Sequence, residues 1–172
     1  GAVGGGGRVW GRPVRPPTVG AALAQPGARE KIKPEALWEH DSAAELSFSQ
    51  FAHASQVRGA FHERMLALLQ DFDVLALPSA QVWPFDIAKR WPQEIAGRPM
   101  DTYHRWMEVT LYATFAGLPA ISVPAGFDDQ DRLPMGMQLI GRPGGEAALL
   151  KLAAIYEELL VGVINRRPPE PA

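Results

Sequence analysis

The chain has 172 residues, 47% of them hydrophobic and 21% charged, an ordinary composition for about one globular domain. A formal net charge of −2 gives no electrostatic case for nucleic acid or an anionic membrane surface. The absence of cysteine excludes a disulfide framework and any cysteine-based metal site or nucleophile. No apolar run approaches the roughly 20 residues that span a bilayer, and no basic stretch followed by an apolar one marks a secretory leader. The cytoplasm is therefore the expected compartment.

Residues 1–30 read as a flexible segment. Gly4 to Gly7 is a tetraglycine, and Pro13, Pro16, Pro17 and Pro26 recur among Arg8, Arg12 and Arg15. Such a stretch buries too little apolar surface to offset the entropy of ordering it. A phosphate cradle would need a preceding strand and a Gly-Lys-Ser/Thr ending, and neither is present. From Lys33 the chain turns helical, with Pro34 suited to a first turn and Glu35 favoured near the helix N-terminus. A longer helix is predicted from about Phe48 to Gln70, with Val57, Phe61, Met65, Leu68 and Phe72 as its apolar stripe. His53 and His62 lie on it, but not at the i, i+4 spacing of a helical metal pair.

Val74-Leu75-Ala76-Leu77 is apolar on both faces, which predicts a central strand parallel to its neighbours. It ends at Pro78-Ser79-Ala80. Open α/β sheets bind ligands beyond the carboxyl ends of their strands, so Ser79 and Trp83 are pocket-wall candidates. The plainer alternative makes Ser79 a turn residue and Trp83 a packing residue on its loop. The loop from Trp83 to Pro99 carries Trp83, Phe85 and Trp91 among prolines and reads as a lid or binding loop. Asp101 or Thr102 is placed to cap a further helix bearing Tyr103, Trp106, Met107, Thr110, Leu111 and Thr114. Most of that stripe is core, with Tyr103 and Trp106 as candidate substrate contacts.

The stretch from Thr114 to Pro143 organises the rest. Gly117 suits the left-handed position that ends a helix, and Pro119 blocks its continuation. Ile121 to Val123 is a short strand between prolines, and Asp128 to Arg132 is too polar to be anything but a turn. Met135, Met137 and Leu139 then alternate with Gly136, Gln138 and Ile140 at period two. Gly144-Gly145-Glu146 opens a last helix with a stripe of Leu149, Leu152, Tyr156, Leu159 and Val163, followed by a tail from Arg166. Apolar strands alternating with helices indicate an α/β architecture, here with only about three strands and so an incomplete sheet.

The run Ala116-Gly117-Leu118-Pro119-Ala120-Ile121-Ser122-Val123-Pro124-Ala125-Gly126-Phe127 followed by Leu133-Pro134-Met135-Gly136-Met137-Gln138-Leu139-Ile140-Gly141-Arg142-Pro143 resembles the amidase signature enzymes near their C-terminus. Their pattern there is A-G-x-P-A-I-S-x-P-x-G-F, then L-P-x-G-x-Q-L-x-G-x-P. The Val74 to Pro84 element is similar to the family's D-x-L-x-x-P-(T/S)-x-x-x-x-P, whose following loop borders the substrate pocket in that family. The resemblance covers roughly Lys33 to Val161, about the last third of a typical member. It implies the C-terminal part of a mixed β-sheet flanked by helices: residues 31–164 as that part of an amidase domain, 1–30 as a flexible segment and 165–172 as a disordered tail.

What the resemblance implies about chemistry has one gap. The family uses a Ser–cis-Ser–Lys triad to form an acyl-enzyme on an amide carbonyl, and all three residues lie upstream of the matched region. The lysines here are Lys31, Lys33, Lys89 and Lys151, and no serine lies in a glycine-rich turn, so no residue inherits a triad role. Loss of such a triad costs on the order of 10⁶ in rate, so the chain alone is expected to be inactive. The expected substrate of the complete enzyme is a small linear carboxamide; no cofactor, metal, nucleic-acid or membrane partner is expected, and a homo-oligomer is left open. Within the family, the tRNA-dependent amidotransferases usually carry Lys-Arg-Arg-Ile where this chain reads Lys33 to Trp38, and an acidic residue at Gly145. Their absence favours a general amidase. Two rivals are a non-catalytic interaction or dimerisation module, and a different hydrolase using His104, Asp101 and Ser122. The second is disfavoured because Ser122 sits inside a strand.

Overall fold

The computed structural model describes residues 16–130 and 132–166. Helices α1 (Pro16–Leu23), α2 (Ala28–Lys31) and α3 (Pro34–Ala43) precede the long α4 (Phe48–Asp71). Pro34 sits in the first turn of α3, where its missing N–H is not needed. A capping box starts α4: the Gln50 N–H donates to Ser47 Oγ at 3.3 Å while the Ser47 N–H donates to Gln50 Oε1 at 2.9 Å. Next come β1 (Leu75–Pro78), a two-stranded ribbon of β2 (Glu94–Ile95) and β3 (Arg98–Pro99), and a 3₁₀ turn (Glu108–Thr110) running into α5 (Leu111–Ala116). Gly117 ends α5 at φ 64°, and Leu118 N–H closes the turn on Ala113 O at 3.0 Å.

A hairpin of β4 (Ala120–Phe127) and β5 (Pro134–Ile140) follows, then α6 (Glu146–Leu159) and α7 (Val161–Ile164). In the turn, Asp128 Oδ1 accepts the N–H of Arg132 and of Leu133, and these bonds hold its carboxyl below the usual carboxylate range. The sheet order is β1-β5-β4, antiparallel throughout. Leu75, Leu77 and Ile140 pack one face against Met65 and Leu69 of α4 and Ala113 and Ala116 of α5. Val123, Ile121, Met137 and Leu139 pack the other against Leu149 and Ala153 of α6. Leu69 and Ile140 are the largest fully buried side chains, each contributing about 1.5–3 kcal/mol. Helices thus cover both faces of the sheet, the α/β arrangement expected.

Five expectations need correction. β1 is neither parallel nor central among the described residues: it pairs antiparallel with β5 at the sheet edge, and Ala76 and Pro78 are exposed while Leu75 and Leu77 pack. An unbroken apolar run therefore did not mean two covered faces. The buried side of α4 runs through Ala54, Met65 and Leu69, leaving Leu68 at 47% and Phe72 at 56% exposure. The helix expected from Tyr103 begins only at Glu108, because Asp101 to Met107 are spent in turns that pin aromatic side chains. Within the segment 1–30, expected to be flexible, Pro16–Leu23 form α1, packed on α3, and α2 starts at Ala28; the tetraglycine and most of the tail lie outside the described residues. In α6, Leu159 of the expected stripe is 78% exposed. No helix among the described residues is long and apolar enough to cross a membrane.

Candidate functional site

The four candidate residues do not share one cavity. Ser79, at the carboxyl end of β1, lines a cleft of about 500 Å³ with Ser122 of β4, Gly136 and Met135 of β5, Phe127 and Arg166. The Ser79 N–H donates to Gly136 O at 2.9 Å, continuing the β1–β5 ladder by one residue and fixing the serine at the cleft wall. Arg166 stacks on the Phe127 ring at 4.1 Å. Among the described residues no lysine, histidine or carboxylate lines this cleft, so they give it hydroxyls without a base to activate them.

Tyr103 lines a second cleft of about 370 Å³, between α3 and the loop before the 3₁₀ turn, with Glu35, Trp38, Glu39, Trp91 and His104. Its ring meets Trp91 edge-on at 6.2 Å and Trp106 at 5.9 Å, and Lys33 Nζ lies 4.5 Å from its centroid. Trp106 also meets Phe85 edge-on at 5.7 Å, and its buried Nε1 has no hydrogen-bond partner among the described residues. Trp83 is 44% exposed and borders neither cleft. The aromatic segment is therefore a cluster of its own, with Tyr103 and Trp106 together and Ser79 and Trp83 apart from them.

Charge in the second cleft is paired. Arg90 Nη2 and Trp91 Nε1 donate to Glu35 Oε1 at 2.6 and 3.0 Å. Burial pushes the Glu35 carboxyl up, but these bonds and one to its backbone outweigh it and hold the group below its usual range. His104 Nε2 donates to Glu39 Oε1 at 2.8 Å, and Glu39 is only 2% exposed. Asp101 instead accepts from Arg105 Nε at 3.2 Å. His104, Asp101 and Ser122 are thus not assembled as a catalytic set. His62 Nδ1 bonds Ala116 O at 2.6 Å and His53 is exposed; among the described residues no three His, Asp or Glu side chains group to hold a metal.

Two glutamines that sequence reasoning did not single out tie β1 and β5 to the 3₁₀ turn and the loop before it. Gln138 Nε2 donates to Pro78 O and to Val109 O, each at 3.0 Å. Gln81 Oε1 accepts the Val109 N–H at 2.9 Å, and its Nε2 donates to Arg105 O at 3.3 Å. The one available signal was an amide set among Met137, Leu139 and Ile140 in an otherwise apolar strand, since a buried amide demands partners.

The comparisons with known proteins agree with this architecture. The family model described as Amidase matches residues 21–150. The A subunit of the glutamyl-tRNA(Gln) amidotransferase from Myxococcus xanthus is 35% identical over 109 residues, 63% of this chain and 21% of that protein. A fatty acid amide hydrolase from Arabidopsis thaliana is 38% identical over 118 residues, 66% of this chain and 18% of that protein. A bacterial aryl acylamidase of the amidase signature family superposes with a TM-score of 0.79 at 25% identity, covering 95% of this chain and 36% of that one. A further amidase crystal structure gives 0.75 at 20% identity, covering 92% and 36%, a likeness of fold. The chain therefore spans about a fifth of the curated relatives it matches and about a third of these structures. On the match of residues 21–150, and with helices packed on both faces of the β1-β5-β4 sheet, the chain belongs to the amidase family.

Proposed function

We propose that this chain is the C-terminal part of an amidase that hydrolyses the C–N bond of a linear carboxamide. In this reading a serine outside these residues attacks the amide carbonyl, the amine leaves, and water releases the acid from the acyl-enzyme, with a lysine working through a second, bridging serine as base. The residues described here supply substrate walls: Ser79 at one cleft, Tyr103 and Trp106 at the aromatic cluster, and Trp83 from the loop between them. The match of residues 21–150 to the amidase model carries the reading. The likeness to an aryl acylamidase over 95% of the chain, together with the rings of Trp91, Tyr103 and Trp106, supports a small or aryl-alkyl amide rather than glutamine. Alone, the chain is expected to be inactive, because its four lysines are exposed and none lines the serine cleft.

The test is to read the coding DNA upstream of Gly1, express the longest in-frame product and assay it with benzamide, propionamide and glutamine. Release of ammonia from benzamide or propionamide in preference to glutamine is the expected result. An in-frame product with a lysine and a Gly/Ser-rich signature that hydrolyses none of the three sinks the reading. A second reading, an interaction or dimerisation module, rests on the exposure of Leu68, Phe72 and Leu159, and gains if the upstream DNA encodes no such signature.

A further inference from the structure

The helical unit before α4 is attached to the rest of the chain through polar contacts, not through the core. Among the described residues, α1 packs on α2 and on α3, while none of the three packs broadly on the sheet or on α4 to α6. Neither apolar cluster beside the sheet draws a residue from them, and the one buried residue of α3 is a carboxylate, Glu39. Glu35 and Glu39, four residues apart, share a face of α3. That face meets the two bases of the β2–β3 ribbon. Arg90 and Trp91, before the ribbon, donate to Glu35; His104, after it, donates to Glu39. Lys33, at the N-cap of α3, lies over the Tyr103 ring.

Both sides of this contact are built independently. At the ribbon base the Trp91 and Tyr103 rings meet, Arg105 bonds Asp101 and Glu108, and Gln81 Nε2 donates to Arg105 O. The Ser47–Gln50 capping box starts α4 without help from α3, which leaves residues 44–46 as the turn joining the two units. Closure also leaves polar atoms unsatisfied: Glu35 Oε2 and His104 Nδ1 are buried with no hydrogen-bond partner among the described residues. Opening gives both atoms to water, which offsets part of the cost of breaking the contacts.

We infer that α1–α3 form a lid on the ribbon base, hinged at residues 44–46 and latched by the Glu39–His104 pair, that opens as a unit while the sheet, α4 and α6 stay packed. Glu39 is 2% exposed, and removing the His104 N–H sends its Oε1 to water, which reaches it only when α3 lifts. The Glu35 contact is weaker, because its partner Arg90 is 57% exposed and already shares its charge with solvent. Opening bares the Tyr103 ring and the cleft of about 370 Å³ that it lines, so the lid sets access to that cleft. No catalytic group is involved, and the lid is independent of the amidase reading.

The experiment is hydrogen–deuterium exchange followed by mass spectrometry on the 172-residue chain and its His104→Ala and Glu35→Gln variants. In the parent chain, residues 16–43 are expected to exchange together, and faster than 65–69 and 137–140. His104→Ala should speed 16–43 at least about tenfold, a modest share of what breaking a buried charge-bearing contact costs, and leave 65–69 and 137–140 unmoved. Glu35→Gln should speed the same block about threefold, the scale of a partly exposed pair, and it carries the test if His104→Ala does not fold. Exchange of 16–43 no faster than 65–69 in the parent chain overturns the lid. So does a block 16–43 that Glu35→Gln and a folded His104→Ala both leave unchanged, or a Glu35→Gln effect spread equally over 65–69 and 137–140, which is the mark of general destabilisation.

Discussion

Replacing Gln138 by methionine tests whether the frame of β1, β5 and the 3₁₀ turn depends on one buried amide. The side chain is 7% exposed and donates to two carbonyls, Pro78 O and Val109 O, at 3.0 Å each. Methionine matches its length and flexibility but cannot donate. Pro78 is exposed, so water can reach its carbonyl and that loss is about 1 kcal/mol, the net worth of a neutral bond. Val109 is buried, and its carbonyl is left without its amide donor at about 1–3 kcal/mol. The expected total is about 2–4 kcal/mol. With a urea slope of roughly 2 kcal/mol per M, the midpoint falls by about 1–2 M. Equilibrium urea unfolding followed by tryptophan fluorescence reads it, the slope being checked for constancy. A loss below about 0.5 kcal/mol at unchanged slope would show that the amide does not hold the frame. In a double-mutant cycle, Gln81→Met should couple with Gln138→Met, because both side chains hold Val109.

Three further outcomes follow from single contacts. Gly117→Val should cost about 1–3 kcal/mol in the same unfolding experiment, since φ 64° is strained for a branched residue; a neutral result would remove the glycine's role in ending α5. Stability should fall on acidification below pH 4.5, because Glu35 has its folded value depressed: its contribution is present above the unfolded value of 4.5 and is lost as pH falls through the folded one. Glu35→Gln should flatten that acid limb, and an unchanged pH profile would refute the assignment. Leu68→Lys combined with Phe72→Lys should lower self-association measured by sedimentation velocity, as both side chains stand in solvent; association undiminished in the double variant would place the sticky surface elsewhere.

The candidate site was only partly legible before folding. Ser79 was reachable from the end of an apolar run beside a proline, a local pattern. Tyr103 and Trp106 were reachable because an aromatic-rich loop of that length has to pack somewhere. Ser122, by contrast, reads locally as a strand residue, and nothing local shows that β4 and β1 bring it and Ser79 to either side of Gly136. Nor does spacing reveal that His104 turns to Glu39 on α3, 65 positions away, rather than to its neighbour Asp101.

Sequence alone determined the elements whose causes are local: the end of α5 at Gly117, the β4–β5 hairpin with its acidic turn, the start of α3 at Pro34, and the run of residues that carries the family resemblance. Each depends on backbone sterics, capping or a period of two within a dozen residues, and such terms act before the chain is compact. Tertiary structure alone decided the pairing of β1 with β5, some 60 residues on, the face of α4 that is buried, and the division of the candidate residues between two clefts. These depend on which partner surface covers an apolar side chain, and several hydrophobic faces satisfy the sequence pattern equally until one of them is packed.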